Sequence, residues 1–470
     1  MDSEAARAPE PFVFMTATRI RGLPDPRAIF NDGDWLVSLH LWSRLVEIDA
    51  TGQEAPYLAS SWKKSLDGLT WTFEIPQDLK WSDGSRMTTE EIRDSLKKSA
   101  AGTTHLALGN LIQEISIGPG GSIVFKLKKQ PFNFLTALSF VDFSITAEKS
   151  SPGKFSGPYR MVREEAGRIL LEKNPHWIHR EKFRPPSPLL FQGGLSTKAM
   201  LESIERDRGR IAYFIGDTHS APAKSKDPGV VHLRTPPEWT AALRVGKTGF
   251  SKMPALYRRW LLRSLWEGFN PTEPLRVESP VGARHPLRFG ALGAADWLKH
   301  LRLAPDKKPA IGGGTLEILV ASQVVETPSV KQVLSRLDFL NVKTKITEMD
   351  LSKPDSDPLR RGRSGDYDLL FFYEGVSDPD PDTMWRYLMM AHYGPSPLVN
   401  ASELDAASVE SDSEKRAELY RSFERRNLDD PFLIPLRIMG SRVQVKPPLI
   451  PPEESQFEWG MKVWTFSVAE

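Results

Sequence analysis

Three stretches of this 470-residue chain hold residue types that could do chemistry. Residues 241–248 end in Gly246-Lys247-Thr248, the close of a phosphate-holding loop. Such a loop needs a flexible interior and a helix N-terminus directly after it, because backbone N–H groups do the holding. Here the interior, Ala242-Leu243-Arg244-Val245, is strand-like, and the stretch from Gly249 to Pro254 cannot open a helix promptly. The match reads as chance. Asp378-Pro379-Asp380-Pro381-Asp382 has the alternating carboxylates of a calcium loop, yet Thr383 and Met389 stand where that loop needs Gly and Glu. A solvated turn and a cation-binding corner after a buried strand both stay open. His176 and His179 are three apart, but Pro175 and Trp177 favour a loop over a helix face, and no HExxH pair occurs. There is no Gly-x-Ser-x-Gly elbow either.

Composition narrows the classes further. Lys plus Arg is 62 against 60 Asp plus Glu, a net charge of +2 without the basic surplus of a nucleic-acid binder. The cysteine count is zero, which removes disulfides, thiolate metal sites and cysteine nucleophiles together. No run of about 18 apolar residues is present, so no membrane-spanning helix is expected. The polar, acidic start does not read as a secretory signal, which fits either a cytosolic protein or a mature form with a new initiating Met.

The elements that would position a site follow from periodicity. Leu69, Trp71, Phe73 and Ile75 alternate with polar residues, predicting a strand with one buried face. Thr88-Thr89-Glu90-Glu91 predicts a capping box at a helix start, with Ile92 and Leu96 facing inward. Glu114–Ile117 and Ile123–Leu127 flank Gly118-Pro119-Gly120-Gly121 as a hairpin. Residues 217–237, rich in Pro, Lys and Ser, read as surface loop. Leu316–Val320, a helix opening at Pro328, and Val342–Ile346 predict a strand, helix, strand unit with parallel strands over 315–349. Leu369-Leu370-Phe371-Phe372-Tyr373 predicts a strand covered on both faces. Most of the thirteen Trp, including Trp62, Trp71 and Trp81, are expected in the core.

Residues 45–95 carry a more specific pattern. Leu45-Val46-Glu47-Ile48-Asp49, Leu58-Ala59-Ser60-Ser61-Trp62, Asp67-Gly68-Leu69-Thr70-Trp71-Thr72-Phe73, Lys80-Trp81-Ser82-Asp83-Gly84 and Thr88–Ser95 follow in order. This string resembles the signature of the peptide/nickel-binding family (family 5) of bacterial extracytoplasmic solute-binding proteins. Gly157-Pro158-Tyr159, Asn174-Pro175, Asp366-Tyr367-Asp368, Asp380-Pro381-Asp382 and Pro431–Leu436 extend the resemblance more weakly along the chain. Glu91 and Ile92 depart from the family's Asp and Val, Gly375-Val376 stands where Gly-Trp is usual, and the acidic loop is shorter.

The resemblance implies an α/β, two-lobed periplasmic-binding-protein-like (type II) fold with an extra subdomain and a hinge between lobes. Lobe I would comprise 1–43, 156–240 and 440–470, the subdomain 44–155, and lobe II 241–439. The implied function is capture of a small solute, a peptide first, between the lobes for an ABC importer, at the periplasmic or outer face of the cytoplasmic membrane. The implied partners are that ligand and the importer permease, with no nucleic acid, for a monomer without cofactor, metal or catalytic residues. Asp378 is implied as the acceptor of the ligand's ammonium, with Trp385, Tyr373 and Trp42 as pocket walls. A regulator's ligand-sensing domain, a non-peptide solute (oligosaccharide, metal chelate or opine) and a hydrolase are the other readings.

Overall fold

The computed structural model describes residues 10–27, 29, 31–49, 53–102, 108–131, 133–148, 153–214, 225, 227–235, 239–269, 294–310, 314–322, 324–350, 356–375, 381–390, 400–452 and 461–469. The chain divides into two compact units. One comprises 1–214, 222–234 and 442–470, and the other 215–221 and 235–441.

The first unit holds a seven-stranded mixed sheet in the order 231–234, 442–445, 210–214, 12–16, 189–192, 168–173, 159–165. Strand Phe12–Thr16 is parallel to both neighbours, and every other pairing is antiparallel. Its side chains alternate across the sheet, as strand geometry requires. Val13 and Met15 pack with Met200, Ile204, Ala212 and Phe214. Phe14 instead meets Phe191 and Tyr213, with ring centroids at 4.9 and 5.9 Å. Helix α1 (Asp32–Leu41) follows the first strand, capped by Asn31, whose side chain accepts from the Asp34 N–H.

Residues 45–145 build a core of their own around a four-stranded antiparallel sheet, ordered 61–64, 70–74, 123–127, 112–117. The hairpin and the alternating strand lie here, with Trp71, Phe73 and Trp81 buried and Trp62 packed against them. Helix α2 (Thr89–Gly102) opens on the anticipated capping box. The Thr88 N–H donates to Glu91 Oε2 at 2.8 Å, and the Glu91 N–H donates back to Thr88 Oγ1 at 3.2 Å.

The second unit is a five-stranded sheet ordered 344–349, 316–321, 369–375, 239–245, 433–439. Strands Leu316–Ala321 and Thr344–Met349 run parallel, joined by helix Pro328–Phe339, so the strand, helix, strand expectation holds. Leu369–Gly375 sits in the middle of the sheet with Leu369 to Phe372 buried, which accounts for its unbroken apolar run.

One expectation needs correction. The loop proposed over 217–237 ends in a strand, Val231–Arg234, paired antiparallel with Arg442–Val445 at the sheet edge. Four residues are too few for periodicity to stand out, and only the long-range partner reveals the strand. Among the described residues, no helix is long and apolar enough to cross a membrane.

Candidate functional site

The phosphate-loop reading ends in the second unit. Trp239–Val245 is a strand, and a Cβ on Gly246 would run into the Tyr367 carbonyl oxygen. Thr248 Oγ1 donates to Asp368 Oδ1 at 2.7 Å, and the Glu317 N–H donates to Asp368 Oδ2 at 2.9 Å. Asp368 thus pins three segments together. The Lys247 ammonium donates to the Ser364 carbonyl rather than facing a ligand.

The four site residues drawn from the resemblance fall as follows. Asp378 lies outside the described residues. Tyr373 is half-buried on the central strand, its hydroxyl 3.0 Å from Thr327 Oγ1 at the start of helix Pro328–Phe339 and its ring perpendicular to Phe371. Trp385 is 1% exposed. Its indole N–H donates to Glu424 Oε1 at 3.2 Å, and its ring packs on Phe423 and Phe432, inside the core. Asp382, the last acid of the Asp-Pro-Asp stretch, pairs with Arg386 at 2.7 Å, and Arg386 reaches Asp405 at 3.0 Å. Burial pushes the Asp382 carboxyl above its ordinary range, with the Arg386 charge pulling against it.

Trp42 belongs to the first unit, directly after α1. It is buried, its ring 5.0 Å from Phe155, and its indole N–H meets no acceptor among the described residues. The chain around it is tightly drawn in. The Ser43 N–H donates to Ser156 Oγ at 2.8 Å, Ser43 Oγ donates to Ser156 O at 2.7 Å, and Ser156 Oγ donates to Ile145 O at 2.7 Å. A Cβ on Gly157 would stand 2.6 Å from the Leu41 carbonyl carbon, so Gly-Pro-Tyr begins with the residue that allows this approach. Asn174 then fixes the turn by donating from Nδ2 to Gly157 O at 2.9 Å.

Sequence reasoning missed two titratable groups of this unit. His40 is fully buried on α1, and burial lowers its imidazole to about 3. Asp142, in the turn Val141–Phe143, is buried, and desolvation raises its carboxyl to about 6. Neither belongs to a spacing pattern, and only long-range packing exposes them. Among the described residues, no group of three His, Asp or Glu could hold a metal ion.

Residues 54–203 match the family described as bacterial extracellular solute-binding proteins, family 5 Middle. A probable D,D-dipeptide-binding periplasmic protein of Escherichia coli K12 is 33% identical over 79 residues, which cover 16% of this chain and 15% of that protein. The periplasmic oligopeptide-binding protein of the same organism is 32% identical over 89 residues, 19% of this chain and 16% of its own length. The matched stretches thus span about a sixth of these relatives. Fold likeness runs further. The agropinic acid complex of a binding protein from A. tumefaciens R10 superposes with a TM-score of 0.77 at 16% identity, covering 98% of this chain and 99% of that one. The Fe(III)-EDTA complex of NikA from Brucella suis gives 0.75 at 16% identity, covering 98% and 100%. These likenesses fix the periplasmic-binding-protein-like α/β fold. Over residues 54–203 the chain is similar to family 5 of the bacterial extracellular solute-binding proteins.

Proposed function

We propose that this protein captures a small solute, a peptide first among the candidates, outside the cytoplasmic membrane and delivers it to an ABC importer. The observation that carries this reading is the folded signature region. Its strands, capping box and Trp81 anchor form one core within the segment that matches the family. In this reading the chain binds without chemistry, works with the importer's permease and resides in the periplasm or at the outer face of the cytoplasmic membrane. Residues 44–155 act as a subdomain beside lobe I (1–43, 156–240, 440–470) and lobe II (241–439). Asp378 receives the ligand's ammonium, with Tyr373 and Trp42 lining the site. Trp385, whose N–H is already bonded, contributes support from the core rather than a polar contact.

A second reading, a non-peptide solute, is favoured by the opine complex and the metal-chelate complex among the fold neighbours. Thermal melts against a panel of di- and tripeptides, opines and metal chelates separate the two. A ligand present at a hundredfold excess over its Kd stabilises the fold by about 2.7 kcal/mol, which a melt resolves easily. Stabilisation by peptides, with the peptide recovered unaltered, supports the first reading. Stabilisation only by opines or chelates replaces it with the second, and turnover of any panel member removes both.

A further inference from the structure

In the second unit, helix Ala255–Phe269 carries Trp260, Arg263 and Ser264 one turn apart on one face. Two segments are strapped to that face. Arg263 donates from Nη1 to the Ala304 carbonyl oxygen at 2.7 Å, and its guanidinium pairs with Asp306. Arg336, near the end of helix Pro328–Phe339, donates from Nε to the Ser264 carbonyl oxygen at 3.0 Å. Lys308 joins the two segments directly. Its ammonium donates to the Asn341 carbonyl oxygen at 2.7 Å and lies 5.8 Å from the centre of the Trp260 ring.

Each segment turns a large apolar side chain out to solvent. Leu303 is 64% exposed and Phe339 is 73% exposed, with the Arg336 guanidinium 5.1 Å from the Phe339 ring centre. A single exposed apolar side chain is ordinary. Here two stand on adjoining segments amid an excess of positive charge. Arg302, Lys307, Lys308 and Lys343 are exposed, and among the described residues none of them pairs with a carboxylate. The nearby acids are mostly taken. Arg263 holds Asp306 and, at 2.8 Å, Glu267, which leaves Asp338 to oppose those cations on the two segments.

Protruding apolar side chains among unpaired cations suit a surface that is both anionic and penetrable. Lipid headgroups supply the phosphate charge, and the boundary with the acyl chains takes up side chains such as Leu and Phe. A protein partner suits this face less well, because Lys307, Lys308 and Lys343 are of the residue type that protein interfaces deplete. We propose that this face of the second unit, carrying Leu303 and Phe339 with Arg302, Lys307, Lys308 and Lys343, docks reversibly on an anionic lipid surface. The docking is an activity beyond solute capture and is independent of which solute is bound.

The test is flotation of the full chain with phosphatidylcholine vesicles that contain phosphatidylglycerol, beside vesicles of phosphatidylcholine alone. The chain should float with the anionic vesicles only, and added salt should release it. Lys343→Glu reverses one charge at the surface and should weaken binding by about tenfold or more. Phe339→Ser should weaken it several-fold, and Lys63→Glu, an exposed lysine of the first unit, should bind as the parent does. Equal flotation with both kinds of vesicle overturns the proposal. So does parent-like binding by Lys343→Glu and Phe339→Ser, or an equal loss in Lys63→Glu, which would mark a general effect of charge. Absence of flotation overturns it as well, and binding of polyglutamate that Lys343→Glu abolishes would then give the face to an acidic protein segment.

Discussion

The backbone N–H of Val463 donates to Nε2 of His40 at 3.0 Å, joining residues 423 positions apart. His40 Nδ1 lies 2.7 Å from the Leu36 carbonyl oxygen, which can only accept. Nδ1 therefore carries the proton and Nε2 is the free acceptor, so the imidazole is neutral. Tyr159, Phe191 and Trp464 surround the ring, at centroid distances of 5.8, 4.9 and 4.9 Å. The chain end is fastened a second time where Lys462 Nζ meets Glu47 Oε2 at 3.3 Å.

Acid should loosen this fastening. Burial is the main force lowering His40 to about 3, and the nearby Arg44 charge adds to it. Between pH 6.5 and 3 the unfolded chain binds a proton that the folded chain refuses, so stability falls as pH falls through that window. The contribution is at most about 1.4 kcal/mol per pH unit. Urea denaturation across pH 4–7 should show a shallower acid loss in His40→Gln, whose amide does not titrate, although its midpoint at pH 7 should be lower. An unchanged slope would remove His40 as the acid-sensitive group.

The capping box makes a second, smaller prediction. Thr88→Ala removes the acceptor for the Glu91 N–H and should cost about 1 kcal/mol. Glu91→Ala should cost more. Its Oε2 also accepts from Trp81 Nε1 at 3.1 Å, and Lys154 stands 3.6 Å from Oε1, so its loss strands a buried indole N–H. Equal midpoints for the two variants in chemical denaturation would contradict that ranking.

What could be read from the chain in advance was whatever repeats or caps locally. The Leu69–Ile75 alternation, the Thr88 box and the parallel pair around Pro328 are local patterns, and each one folds as read. Helix α1 has almost no polar face, because eight of its ten residues are buried, so periodicity does not announce it. Strand Val231–Arg234 depends on a partner more than two hundred residues away. The same limit applies to the site. Trp385 is implied as a pocket wall by the family resemblance, and its bond to Glu424 appears only in three dimensions. Asp142 and His40 are single residues in unremarkable contexts, and burial alone gives them their character.

Gly157 tests close approach directly. Its N–H donates to Leu41 O at 2.9 Å, and a Cβ would sit 2.7 Å from the Trp42 nitrogen. Both obstructions are backbone, so neither can swing aside. Gly157→Ala should destabilise by more than about 2 kcal/mol, well above the usual loss for a surface substitution. It should also disturb the Trp42 environment, read as a shift in tryptophan emission. A midpoint within about 0.5 kcal/mol of the parent would show that the junction tolerates a side chain.

Asp142 should show the opposite pH dependence to His40. Its carboxyl is raised from 3.8 to about 6 by burial, so over that interval the folded chain holds a proton that the unfolded chain has released. Stability from this group is complete below about pH 4 and is lost as pH rises through 6. A shift of about two units corresponds to roughly 3 kcal/mol of cost at neutral pH. Asp142→Asn removes the buried charge at similar volume and should therefore raise the melting temperature at pH 7, while leaving it little changed at pH 4. The variant should also steepen the loss of stability on acidification between pH 6 and 4, because the Asp142 slope no longer offsets the His40 slope. An Asp142→Asn protein that melts lower than the parent at pH 7 would assign the residue a structural bond instead.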